Sequence, residues 1–141
     1  MNIITASSDA DVRACFSAMH ELRPHLDEDE FVAQVQRQRL NHGYTLVYIT
    51  EHDEVMAAAG YRVAEFLAWG KTFYLDDLIT RESARKHGHG GKLLDWLLEK
   101  ADALGCRQFH LDSGVQRHDA HRLYLGRKMQ ITSHHFAKAL T

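Results

Sequence analysis

The chain reads as an α/β protein whose central sheet is mixed but mostly antiparallel and flanked by helices, with element order βααβββαβαβ. Three observations predict this. Two segments near the start carry helical spacing, and three runs rich in β-branched and aromatic residues then follow one another across residues 44–80 with only short turns between them. A leucine-faced helix separates the third run from a further short strand. Short turns make antiparallel hairpins, whereas a strand, helix, strand succession in one sheet makes a parallel crossover.

Residues 2–6 (NIITA) form the first strand, after which Ser7 and Ser8 offer N-caps to a helix with apolar positions at Val12, Phe16, Met19 and Leu22. Pro24, the only proline, breaks the chain. Four carboxylates at residues 27–30 suit the positive end of a second helix, whose buried face is Phe31, Val32, Val35 and Leu40 and whose stop is Asn41-His42-Gly43. A hairpin follows, made of residues 44–50 (YTLVYIT) and 55–66 around a turn at His52-Asp53-Glu54. Trp69-Gly70-Lys71 connects it to residues 72–80 (TFYLDDLIT). From residue 90 to 104, leucines at 93, 94, 97 and 98 with Ala101 and Leu104 share one helical face, and Gly105 stands where a left-handed cap is wanted. Residues 108–113 are a strand, 119–128 a helix, and 131–137 a last strand.

At 141 residues, with one proline, no low-complexity stretch and no internal repeat, the sequence predicts a single domain over residues 1–141. Seventeen basic against nineteen acidic side chains give a net charge of −2, which provides no general field for nucleic acid. Any phosphate site must be local. No apolar run is long enough for a membrane span and the first residues lack a secretory pattern, so a cytoplasmic protein with free thiols at Cys15 and Cys106 is expected.

The segment Arg85-Lys86-His87-Gly88-His89-Gly90-Gly91 leaves a strand and enters the leucine helix. Helix starts expose unpaired N–H groups at a positive dipole end, and glycines let a phosphate approach them. Two familiar phosphate motifs fail here. A P-loop needs a glycine separated by four residues from Gly91-Lys92, where Lys86 stands, and a hydroxyl where Leu93 stands. The dinucleotide fingerprint needs a third glycine, again at Leu93, and an early βαβ unit.

What remains is Arg85-x-x-Gly88-x-Gly90, preceded by Leu78 and Ile79 and followed by Lys92-Leu93-Leu94, with Asp119-Ala120-His121-Arg122-Leu123-Tyr124 downstream. Together these resemble the GNAT superfamily of acyl-coenzyme A dependent N-acyltransferases. Element order agrees over residues 2–137, and the specific motifs lie within residues 74–129. The resemblance implies that backbone groups of Leu78, Ile79 and Thr80 pair with the pantetheine arm. It implies that Arg85, Lys86, His87, Gly88, His89, Gly90 and Gly91 hold the pyrophosphate, and that Tyr124 sits near the sulfur. Arg117 stands where an asparagine is common, as a further contact to coenzyme A or a solvent-facing residue. Lys128-Met129 replaces the usual Gly-Phe, leaving the end of the tyrosine helix less defined. Only one strand follows that helix, so the acceptor side is left to a loop or to a second copy in a homodimer.

Acetyl transfer to an amine needs an unprotonated nucleophile, stabilisation of charge on the carbonyl oxygen and a proton for the departing thiolate. Tyr124, with a reference pKa of about 10, suits the last task, or is a packed aromatic on the Ala120/Tyr124 face. An amide near Leu78 suits the second. Asp76 and Asp77 interrupt an apolar strand just before the loop; alternation sends them to opposite faces, so at most one faces the acceptor, as base, amine anchor or plain surface ion pair. His118 with His121, and His134-His135, lack the further ligands a metal site needs, so none is expected. The sequence therefore predicts an enzyme acetylating a primary amine from acetyl-CoA. The alternatives are a non-catalytic acyl-CoA sensor or regulatory module, and a nucleotide-binding protein that would take ATP or NAD.

Overall fold

In the computed structural model, which describes residues 2–141, the chain forms two units, Met1–His110 and Leu111–Thr141. The first contains β1 (Ile3–Ala6), α1 (Asp9–Ala14), α2 (Phe16–Leu22), α3 (Glu28–His42), β2 (Thr45–Glu51), β3 (Glu54–Phe66), β4 (Gly70–Thr80), a 3₁₀ turn at Glu82–Ala84 and α4 (His89–Ala103). β5 (Gln108–Leu111) follows, its last residue belonging to the second unit, and α5 (His118–Gly126) is the one helix of the second unit among the described residues.

The sheet order is β1-β2-β3-β4-β5, with β1 to β4 antiparallel throughout, as the three successive runs require. Both faces are covered, which is why β2 reads as an unbroken apolar run. On one face Leu46, Tyr48 and Ala58 pack with Val12, Met19, Phe31 and Val35 from the first three helices. Val47, Ile49, Ala57 and Ala59 alternate to the other face, where α4 packs and Leu93, Leu94 and Leu97 are fully buried. α4 ends as read from the sequence: Gly105 adopts φ 76°, and Cys106 N–H donates to Ala101 C=O at 3.0 Å.

Three expectations are corrected. The first predicted helix is two, because Cys15 N–H donates to Val12 C=O in a tight i to i+3 turn that reorients the chain. The buried positions are accordingly Val12, Cys15, Ala18 and Met19, while Phe16 and Leu22 are only partly covered. Leu40 lies off the buried stripe of α3 and is 79% exposed. No last strand forms over 131–137, where Ile131 and Phe136 are exposed. Apolar alternation makes a strand only where a neighbour supplies the ladder.

The end of α5 is defined despite its missing glycine. Lys128 itself takes the left-handed conformation, φ 64°, and the last turn closes with Met129 N–H on Tyr124 C=O at 3.2 Å and Lys128 N–H on Leu125 C=O at 3.0 Å. Among the described residues no helix is long and apolar enough to cross a membrane.

Candidate active site

Arg85, Lys86, His87 and Gly88 are exposed in the loop between the 3₁₀ turn and α4. Gly88 caps α4 in the left-handed region, φ 81°, and no side chain caps the helix. Lys92 N–H makes the first bond of the helix, to Gly88 C=O at 3.0 Å, so the amides of His89, Gly90 and Gly91 have no acceptor within α4. A Cβ on Gly88 would meet nothing within 4 Å. The loop thus offers N–H groups, a dipole end and open space at one point. Lys86, at φ 73°, adds a second left-handed turn and an exposed cation.

The His89 ring does not line this loop, although the residue belongs to the segment expected to hold the pyrophosphate. It is 1% exposed, with Nδ1 3.4 Å from Ala84 C=O and Nε2 3.3 Å from Glu51 Oε1, the latter without hydrogen-bond alignment. Its side chain anchors the start of α4, and only its backbone N–H faces the loop's task.

The edge of β4 before the loop is half used. Arg81 N–H donates to Met56 C=O, and the register pairs Ile79 with Ala58, so alternation directs Ile79 toward β3 and the amides of Leu78 and Thr80 away from it. On that side β5 starts beside Lys71, whose C=O accepts from Arg107 N–H, and a strand of four residues from there ends short of Leu78. Thr80 C=O accepts from Arg85 Nε at 3.3 Å, which folds the Arg85 side chain back along the strand end.

Asp76 and Asp77 do not point to opposite faces. In the β3–β4 ladder Gly60 pairs with Asp77 and Tyr61 with Leu75, which leaves Asp76 as the extra residue of a β-bulge. A bulge resets the side-chain alternation. Both carboxylates consequently line one cavity of about 470 Å³ between α2, α3 and β4. Each is held by an arginine. Asp76 accepts from Arg62 Nε at 3.1 Å and Nη2 at 2.5 Å, and Asp77 Oδ1 from Arg23 Nε at 3.0 Å and Nη2 at 2.8 Å. Burial raises the Asp76 carboxyl above the usual carboxylate range, against the pull of Arg62.

Tyr44 completes the arrangement. Its hydroxyl donates to Asp77 Oδ2 at 2.8 Å, and Arg62 lies over its ring at 5.9 Å. Burial, reinforced by the Asp77 charge, holds the phenol well above the tyrosine range, so it remains a donor. The ring fits because Gly60 has no side chain: a Cβ there would lie 1.7 Å from Tyr44 Oη and 2.1 Å from Cζ. Gly60→Ala should therefore displace Tyr44 and break its bond to Asp77, costing about 3 kcal/mol and about 10 °C in thermal midpoint. Thermal unfolding of the variant, alone and with Tyr44→Phe, checks this; a midpoint within about 2 °C of the parent would contradict it.

In the second unit, Tyr124 is buried at 8% exposure on α5, and Arg117 is the residue that caps that helix. Burial raises the Tyr124 phenol above its usual value while the Arg117 charge opposes the rise. Arg117 N–H donates to Gly114 C=O at 3.0 Å. His121 Nε2 lies 2.8 Å from Gly114 C=O, and His135 is 3.2 Å from Asp112. Among the described residues no three His, Cys, Asp or Glu side chains converge as metal ligands.

Arg23, Tyr44, Gly60 and Arg62 are site residues that sequence reasoning did not single out. One signal was present, since a glycine inside an otherwise apolar strand marks a close approach by another group. The acidic run at 27–30 is structural: Asp27 caps α3 by accepting from Glu30 N–H, and Glu28 and Asp29 face Arg13.

A family model for the acetyltransferase (GNAT) family matches residues 10–128. A Bacillus subtilis (strain 168) protein described as uncharacterized N-acetyltransferase YhdJ is 30% identical over 109 residues, 77% of each chain. Two solved structures share the fold at low identity. A transcriptional regulator from Bacillus halodurans C-125 is 17% identical, with 99% of this chain and 100% of that one covered and a TM-score of 0.85. An aminoglycoside N-acetyltransferase in complex with CoA is 12% identical, with 99% and 95% covered and a TM-score of 0.83. With an uncapped helix start after an open strand edge, and a family match over most of its length, the chain belongs to the acetyltransferase (GNAT) family.

Proposed function

We propose that the enzyme moves an acetyl group from acetyl-CoA to the primary amine of an acceptor, by direct attack with both substrates bound. The observation that carries this reading is the uncapped first turn of α4 behind the open left-handed Gly88, next to β4 amides that point away from β3. These features fit a pyrophosphate followed by an extended, amide-bearing arm, because each supplies N–H donors at a place a Cβ or a capping side chain would block. In the proposed complex the amides of Gly88, His89, Gly90 and Gly91 take the pyrophosphate, with Lys86 and His87 beside them. Leu78 and Thr80 pair with the arm, and Arg117 supplies a further cation.

The thioester provides the activated acyl group. The chain's residues do the rest: a β4 amide near Leu78 stabilises charge on the carbonyl oxygen, and Tyr124 supplies a proton to the departing thiolate. Asp76, made more basic by burial, takes the amine's proton. Asp77, fixed by Arg23 and Tyr44, orients the amine.

Titration calorimetry with acetyl-CoA, followed by thiol release across a panel of primary amines, tests the reading. Micromolar binding and release that depends on an amine are expected. Binding with no release from any amine would leave an acyl-CoA sensor, and absence of binding would remove both.

A further inference from the structure

The charges around the acceptor cavity say which amines suit it, given that the site works as proposed above. Two arginines and two aspartates face it, and each aspartate is already neutralised by a guanidinium. A polycation finds no net negative field there. Both arginines use Nε and Nη2 for these pairs, leaving the two Nη1 donors of each without a partner among the described residues.

The cavity adjoins a second one of about 430 Å³, with Gln34, Gln38 and Arg62 common to both. Its remaining lining is Arg37, Asn41 and His42, with no acidic residue. Arg37 projects from α3 without an ion pair or hydrogen bond among the described residues. Gln34 Nε2 donates to Gln38 Oε1 at 2.9 Å, so the Gln38 amide group stays available as a donor. One lobe therefore holds carboxylates that can accept from an ammonium, and the next holds none, its charged side chains being the guanidinium groups of Arg37 and Arg62. Guanidinium groups in such a place suit a carboxylate or phosphate.

We propose that the acceptor is a small amine carrying an anionic group, carboxylate or phosphate, a few bonds from its nitrogen. The amine lies in the lobe of Asp76 and Asp77, and the anion reaches Arg62, Arg37 and Gln38 in the adjoining lobe. Two adjoining cavities of these sizes have room for a compact metabolite.

The experiment compares matched amines with and without the anion in the thiol-release assay: phenylalanine against phenethylamine, phosphoethanolamine against ethanolamine, and spermidine as the polycation. The anionic member of at least one pair should exceed the partner that lacks the anion by about 10-fold or more in kcat/KM, and the pair that does so identifies the anion. Arg37→Gln, an exposed change that breaks no internal pair, should raise KM for the preferred amine about 3- to 10-fold, and Arg62→Lys about 10- to 100-fold, with acetyl-CoA affinity unchanged. Amines without an anionic group, or spermidine, acetylated as well as every anionic one would overturn this inference while leaving amine acetylation standing. So would an unchanged KM in both variants. Acetyl-CoA bound with no amine acetylated overturns it too, and failure to bind acetyl-CoA removes it together with the proposed function.

Discussion

Gly88→Val should weaken acetyl-CoA binding by more than about 100-fold while the protein still folds. Two effects combine. The backbone at this position has φ 81°, which a β-branched residue adopts at a cost of about 1–2 kcal/mol. The new side chain also fills the space beside the His89, Gly90 and Gly91 amides, which is open to 4 Å around the Cβ position. Gly88→Asn separates the two, since asparagine tolerates the left-handed region but still adds bulk. The Asn variant should keep a thermal midpoint close to the parent and lose about 10-fold in affinity. Calorimetric titration with acetyl-CoA checks both, and normal affinity in the Val variant would exclude this helix start as the phosphate site.

Gly88 also shows what the letters carry. A glycine before a leucine-faced helix and after a strand specifies local geometry, and local geometry was legible: β2, β3, β4 and α4 begin and end within two residues of the sequence reading. The Gly105 cap was legible for the same reason. What could not be read depends on partners far along the chain. The bulge at Asp76 exists only relative to Gly60 and Tyr61 on β3, so strict alternation placed the two carboxylates on opposite faces when they share one cavity. Arg23 lies 54 residues from Asp77 and Tyr44 lies 33, distances over which composition and spacing say nothing about contact. The absent strand at 131–137 is the converse case, an alternating pattern that local sequence alone does not turn into a ladder. His89 belongs with it, since a histidine in a glycine-rich loop looks like a ligand until burial shows its ring turned inward.

Tyr124→Phe should lower kcat by about 100-fold or more while acetyl-CoA affinity changes by less than about 2-fold, on the reading that the phenol protonates the departing thiolate. The substitution is mild as a structural change. Phenylalanine keeps the buried ring, and the Tyr124 hydroxyl makes no hydrogen bond with another described residue, so no partner is stranded. Burial raises the phenol above its usual pKa, which keeps it protonated throughout neutral pH and able to donate; the Arg117 charge pulls the other way and limits the rise. Arg117→Ala removes that opposing charge and should leave Tyr124 a weaker acid, lowering kcat by a smaller factor and moving any alkaline limb of the pH–rate profile upward. Steady-state kinetics with the preferred amine, together with calorimetry on the same variants, separates this from a packing role. A packing residue would shift the thermal midpoint and substrate affinity together, whereas a proton donor lost to phenylalanine leaves binding in place and slows turnover alone.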